Sequence, residues 1–541
     1  MPDQTQPRLP AAASVRAWLT LVTALAALLG GSGLLAGSAL GAAEAPDAAG
    51  VRVAPSTGAD LTSWIGGHPL VALCLPDLPR SRQRFAQSPY VGLMTTAWGW
   101  ELAARMLRDT PAGSVPLPLL GRSLRTLAIG VEGGVQPPMI RWAASTTDAR
   151  NLQRWCASAL GGSSALQVHG GVVSGAIGSD AATTAGCAGG PPGSAMRYPQ
   201  ACLELHLDPG RTLSALGLPG LWPDLDAASP RPLAVALSLD AIGIREHWDI
   251  TVRQRERWQA LTLPQAHADL LRALPADTVM AATCSCDAHT MLSALLATGH
   301  AQRPMLLLAM DSCLARAGMP PLVDLLRGMH GDCVAWVSAG GGTPSWTVVA
   351  GMDAALAVPL ETLIVGELNL AQGQPGVFVG FLGGAPVQMA YQDGRLLVTT
   401  QPGGVATCLD QPPGFADHAD VAAALRELPP QAVLLGVSRS SVALELLGRL
   451  GLADATHGLL PELSTLPHDL ASRAHYGFIS VRQTPGGLSL DAGGMLGGPL
   501  TTCAVLGSAA FAACLSAARA PGVILGPLGP LQDPVHTQRS L

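Results

Sequence analysis

The stretch from Leu274 to Ala350 sets the plan for the chain. It opens LPADTVMAATCSCDAHTMLSALLATGH and closes GDCVAWVSAGGGTPSWTVVA. Short apolar runs broken by glycine and proline predict a strand, a helix, and then two strands joined by a glycine-rich turn. The other ordered segments read as variations on that plan.

Taken in order, His68–Leu75, Leu124–Val131 and Met139–Ala144 predict a strand and a hairpin. Thr146–Leu160 predicts a helix capped by Thr147 or Asp148, with Leu152, Trp155, Cys156 and Leu160 on its apolar face. Two short strands follow between Leu166 and Ile177. Cys202–Leu207 opens a second unit, whose hairpin is Leu233–Leu239 with Ile244–Val252. The third unit continues past Ala350 as a meander from Val377 to Thr400, turned at Asp393-Gly394. The fourth begins at Leu428 and ends in the hairpin Tyr476–Val481 with Leu488–Ala492. Asp208 stands four residues before TLSAL, as Asp287 stands before MLSAL, a short repeat signature. Each aspartate closes a strand and opens a helix, the setting of an N-cap rather than of a catalytic carboxylate pair.

These segments divide the chain into 67–196, 197–273, 274–410 and 411–498. The expected fold class is α+β, with repeated strand–helix–hairpin units forming antiparallel sheets covered by helices. A linker spans 45–66. Ahead of it lies an apolar signal or anchor helix within 1–44: Arg8 and Arg16 precede an uncharged run from Ala17 to Ala43. The run is long for a cleaved signal and is interrupted by Gly30, Gly31 and Gly33, so both a cleaved signal and a retained anchor fit. Leu500–Ala518 reads as a buried helix, with a weak transmembrane helix as the alternative, and 521–541 as a proline-rich tail. The bulk of the chain is expected outside the cytoplasm, on the periplasmic side, held at the inner membrane by apolar terminal segments.

Composition narrows the function. The chain is 48% hydrophobic and 13% charged, about half the usual charged fraction, which argues against disorder. Its net charge is −6 with no basic run, which excludes a phosphate-neutralising nucleic-acid binder. No lysine occurs, so P-loop, kinase and Schiff-base lysines are excluded. No G-x-S-x-G elbow, H-E-x-x-H or G-x-G-x-x-G follows the expected strands: Gly436-Val-Ser438-Arg-Ser440 lacks the last glycine, and Glu246-His247 stands alone.

The LP-x-D/Q-x-V openings at Leu274–Val279 and Leu428–Val433, with Asp208 and Asp287 before leucine-rich helices, resemble a family of exported bacterial proteins of unknown function. The resemblance would run from about Gly67 to Leu496, and it implies an envelope location and a fold plan but no chemistry.

The sharpest chemical cluster is Cys284-Ser-Cys286-Asp287-Ala-His289. Cys284 and Cys286 share a strand face, and His330 and Cys333 lie in the same unit. Thiolate and imidazole suit zinc, but the spacing is not a standard zinc spacing, and core thiols beside a capping aspartate explain the same residues. The 11 cysteines read mainly as buried thiols, with room for one or two disulfides in an oxidising compartment. His206, His247 and His267 are scattered and read as satisfied polar groups. Tryptophan is frequent, 11 against 6 Phe and 4 Tyr. Core filling explains Trp98, Trp100, Trp142, Trp248, Trp336 and Trp346 better than a glycan-binding stripe. The expectation is a non-enzymatic scaffold or binding protein of the envelope, without cofactor, whose partner is an envelope protein or a glycan. The alternative is an extracytoplasmic enzyme or metal-binding protein centred on Cys284, Cys286 and His289.

Overall fold

The computed structural model describes residues 69–90, 123–132, 139–160, 164–177, 200–208, 233–252, 255–260, 262–287, 320–340, 344–356, 370–374, 376–382, 385–401, 403–410, 412–447 and 466–495, with single residues or pairs between them. Strand β1 (Val71–Leu75) leads to α1 (Leu78–Gln87), the hairpin β2 (Leu124–Glu132) and β3 (Met139–Thr146), α2 (Ala149–Leu160), and a second hairpin, β4 (Ser164–His169) and β5 (Val172–Ile177). β6 (Leu203–Leu207) precedes the hairpin β7 (Leu233–Asp240) and β8 (Gly243–Thr251), then α3 (Arg255–Gln259) and α4 (Ala268–Arg272). β9 (Thr278–Asp287), α5 (Leu322–Gly328), and the hairpin β10 (Met329–Ser338) and β11 (Ser345–Met352) come next. A meander follows: β12 (Ala371–Gln374), β13 (Val377–Leu382), β14 (Ala385–Gln392) and β15 (Arg395–Thr399). Then come α6 (Gly404–Asp410), α7 (Ala419–Glu427), β16 (Leu434–Ser438), α8 (Ser440–Leu447), α9 (Leu466–Ala471), and the hairpin β17 (Gly477–Thr484) and β18 (Gly487–Gly494).

Local signals place many of these elements. Asp77 caps α1, its Oδ1 accepting from the Arg80 amide at 3.0 Å. Asp148 caps α2, accepting from the Asn151 amide at 3.2 Å. The β14–β15 turn puts Asp393 at φ 51° and Gly394 at φ 72°, the left-handed pair that a two-residue type I′ turn requires.

The fold class expected from the sequence is corrected by the strand pairing. Separate antiparallel sheets, each covered by its own helices, do not form. Eighteen strands join in one antiparallel sheet, in the spatial order β4-β5-β3-β2-β1-β6-β7-β8-β18-β17-β16-β9-β10-β11-β15-β14-β13-β12. The reason is edge satisfaction: a strand with its hairpin exposes a row of amides and carbonyls on each side. Those edges pair with the edges of other strand groups instead of with solvent. First strands meet first strands, β1 with β6 and β9 with β16, and last strands meet at β8–β18. The order is therefore mirrored about the β8–β18 seam through β3 on one side and β11 on the other. The described helices run from 5 to 12 residues, so they patch the sheet rather than cover it.

The LP openings mark this pairing. Ala282 and Gly436 each lie eight residues past the leucine of their LP pair, and they stand directly opposite one another in β9–β16. A Cβ on Gly436 would come within 2.6 Å of Ile479 Cγ2, so glycine permits the close approach there.

Two clusters hold opposite faces. Leu75, Leu127, Ile129, Trp142 and Val173 pack beneath Leu78 of α1 and Leu152 and Cys156 of α2. The register carries that face across to Trp248 and Cys284. On the other face Ala281, Trp336, Leu435, Val437 and Phe478 pack beneath Val421 and Ala424 of α7 and against Phe415. Each large side chain so buried contributes about 1.5–3 kcal/mol. Trp142 and Trp336 are buried, as core filling requires, Trp248 and Trp346 are only partly buried, and Trp98 and Trp100 lie outside the described residues. The expected terminal apolar helices, within 1–44 and 500–518, also lie outside them. Among the described residues, no helix is long and apolar enough to cross a membrane.

Candidate functional site

Strand β8 reads Gly-Ile-Arg-Glu-His-Trp-Asp-Ile-Thr. Alternation places Arg245, His247 and Asp249 on one face, and Glu246 and Trp248 on the other. Three ionisable groups on one face of a central strand need partners, and the neighbouring strands supply them. The register lays out a grid across β7, β8, β18 and β17. Its rows are Ser238–Arg245–Gly493–Phe478, Ala236–His247–Asp491–Ser480 and Ala234–Asp249–Ser489–Arg482.

The grid floors a cavity of about 470 Å³ astride the seam. Arg84 from the last turn of α1, Tyr198 and Gln200 ahead of β6, Glu427 at the end of α7 and Pro429 just past it form its walls. Both halves of the sheet thus contribute. Glycine at 493 makes room for the ring of Phe478, since a Cβ there would fall 2.6 Å from Phe478 Cε1. The Arg245 guanidinium lies over that ring, 5.4 Å from its centroid.

His247 is held from both ends. Its Nδ1 lies 2.5 Å from Asp491 Oδ1 and its Nε2 lies 3.6 Å from Asp249 Oδ1. Tyr198 packs edge-on to the imidazole at 5.1 Å, and its hydroxyl donates to Asp249. Arg482 donates from Nη2 to Asp491 at 2.6 Å. Hydrogen bonding to Asp249 and then to Asp491 raises the His247 pKa to about 9, against the opposing effect of burial. Burial pushes Asp491 upward, but its bonds to His247 and Arg482 and their charges outweigh that and hold it low. Arg245 donates to Asp240 and, at 3.1 Å, to Glu427; those bonds outweigh the desolvation that would lower its pKa.

Beneath this surface network, buried carboxylates are tied down. Glu246 is 1% exposed and accepts from the Gly498 amide and Trp248 Nε1, each at 2.9 Å. Ser480 is fully buried at the cavity wall, and its hydroxyl has no hydrogen-bond partner among the described residues.

The cluster favoured by sequence spacing assembles differently. Cys284 is half-buried on β9 and stands opposite Cys333 of β10. The side chain of Cys286, and all of His289, lie outside the described residues. His330 turns instead to Asp353, with Nε2 to Oδ1 at 2.6 Å. Asp287 accepts through Oδ1 from the Thr290 amide at 2.9 Å, and the helix expected after it lies outside the described residues. Among the described residues no three His, Cys, Asp or Glu side chains are grouped to hold a metal.

His247 escaped sequence reading because its principal partner, Asp491, lies 244 residues away. The available signal was the alternation Arg245-x-His247-x-Asp249, a costly face for a buried strand unless it is paired. Comparison with protein-family models, curated proteins and solved structures yields no match.

Proposed function

We propose that the chain is a non-enzymatic binding protein of the cell envelope, holding an uncharged polyhydroxylated ligand, a glycan segment, in the His247 cavity. The observation that carries this reading is the pairing of His247. Its Nδ1 is hydrogen-bonded to Asp491, its Nε2 faces Asp249 at 3.6 Å, and the pKa raised to about 9 keeps the ring protonated at neutral pH. Such an imidazolium is a fixed donor, not a general base.

Charge balance selects the ligand class. Arg245, His247 and Arg482 each already meet a carboxylate, so an anion would have to displace internal partners at those three groups, while Arg84 at the wall donates to the Gln200 carbonyl at 2.8 Å. Hydroxyl groups can join planar guanidinium and carboxylate edges without breaking those pairs. The ring of Tyr198 supplies apolar surface beside the polar floor. The cavity volume falls within the range of small-ligand pockets. The export-type run from Ala17 to Ala43 supports a location outside the cytoplasm, attached through an apolar end.

Purified protein screened against neutral and acidic oligosaccharides tests the ligand class. Binding of a neutral glycan is expected, weakened at least tenfold in Arg482→Ala and in Asp491→Asn. Binding confined to acidic glycans, binding indifferent to both substitutions, or no glycan binding at all would overturn the reading. Protease protection of a C-terminally tagged chain in intact spheroplasts tests the location. Digestion is expected for a chain facing outward, and full protection would contradict it.

A further inference from the structure

The Trp248 face of the sheet carries a second chemical group, independent of the cavity. Cys284 and Cys333 are directly opposed across β9 and β10, in a register that runs unbroken from His330 to Val337. Directly opposed residues in an antiparallel pair have Cα atoms about 4.5 or 5.5 Å apart, and both values fall within the window a disulfide spans. Both cysteines are partly exposed, and neither is in a disulfide among the described residues. Being directly opposed, they turn their side chains to the same face of the sheet. The Thr283 hydroxyl donates to the Cys333 carbonyl at 3.0 Å, fixing the backbone beside the pair.

We propose that Cys284 and Cys333 form a redox-active dithiol that closes to a cross-strand disulfide by exchange with a small-molecule or protein disulfide. Cys284 is the attacking group. The Cys333 thiol bonded to it lowers its pKa to about 7, against the raising effects of burial and of Asp332. The Cys284 thiolate attacks one sulfur of the oxidant, whose S–S bond breaks and releases one thiolate. Cys333 then loses its proton and attacks the Cys284 sulfur in that mixed disulfide, expelling the second thiolate. Two cysteine thiols lose two electrons and two protons, and the oxidant disulfide becomes two thiols. The product ties β9 to β10 next to β16, at the strand group that opens the second half of the chain. Cys156 marks the contrast, since burial first of all pushes its thiol up to about 12 and leaves it inert.

The test equilibrates the full-length protein in buffers of reduced and oxidised glutathione, traps free thiols by alkylation, and maps disulfides by tandem mass spectrometry. A Cys284–Cys333 link is expected to rise with the oxidised fraction and to disappear on reduction. In Cys333→Ser, Cys284 should instead accumulate as its glutathione mixed disulfide. Alkylation of Cys284 against pH, read by peptide mapping, should show a midpoint near 7 that moves upward in Cys333→Ala, which removes the donor. Circular dichroism of both variants confirms that the sheet persists. Full alkylation of both cysteines in the most oxidising buffer, or linkage of Cys284 only to another cysteine, would overturn the proposal. So would an alkylation midpoint at the ordinary thiol value that ignores Cys333→Ala.

Discussion

His247 and Asp491 face one another across the β8–β18 seam, and each lies four residues past the glycine that opens its strand. Those glycines, Gly243 and Gly487, follow two-residue turns and hold φ of 125° and 153°. The pair thus occupies matching positions in two hairpins joined edge to edge. An imidazole at one position and a carboxylate at the other turn a symmetric contact into an ion pair, where two like groups would have repelled one another.

That pairing sets a pH dependence. The folded pKa of His247 is raised above the unfolded value, so its contribution to stability is fully present below about 6.5. It declines as pH rises and is lost as pH passes through about 9. Nitrogen-detected NMR of the imidazole should show both ring nitrogens protonated at pH 7.5, and Asp491→Asn should lower the midpoint. A midpoint near 6.5 in the unmodified protein would contradict the clamp.

Gly493→Ala should displace Phe478 from beneath Arg245, because the added carbon would meet the ring at 2.6 Å. Overpacking of this kind costs about 1–3 kcal/mol. Urea denaturation measures it, and an unchanged midpoint would show that the ring moves freely.

Phe415 and Phe381 form a paired test of where the core lies. Phe415 is fully buried with Val421 and Leu435, whereas Phe381 is 72% exposed. Replacing Phe415 with Ala should cost about 3–5 kcal/mol. The same change at Phe381 should stay within about 0.5 kcal/mol. Comparable losses at both sites would refute the burial pattern.

Asp77→Ala removes the side chain that accepts the Arg80 amide at the start of α1. A loss of about 1 kcal/mol is expected, with Asp77→Asn retaining most of the stability. Thermal melts of the two variants decide it, and equal losses would mean that charge rather than capping matters.

Local chemistry was legible along the chain. The Asp393-Gly394 turn, the Asp148 cap and the strand at β1 depend on residues a few positions apart, and the expected elements match. The matched LP openings at Leu274 and Leu428 were legible too, but what they align was not. They bring Ala282 opposite Gly436 in one continuous sheet, where helix-covered sheets were expected. At the cysteines, spacing pointed along the chain to His289, whereas the partner of Cys284 is across the strand at Cys333.

Sequence alone determined which residues extend, where the chain turns and which side chains alternate to a common face, because φ/ψ preference and pleat periodicity act over a few residues. Only the tertiary structure decided which strand edges meet. Every open edge offers the same amides and carbonyls, so nothing local distinguishes one edge from another. That choice brought β8 against β18, and with it His247 against a carboxylate 244 residues away.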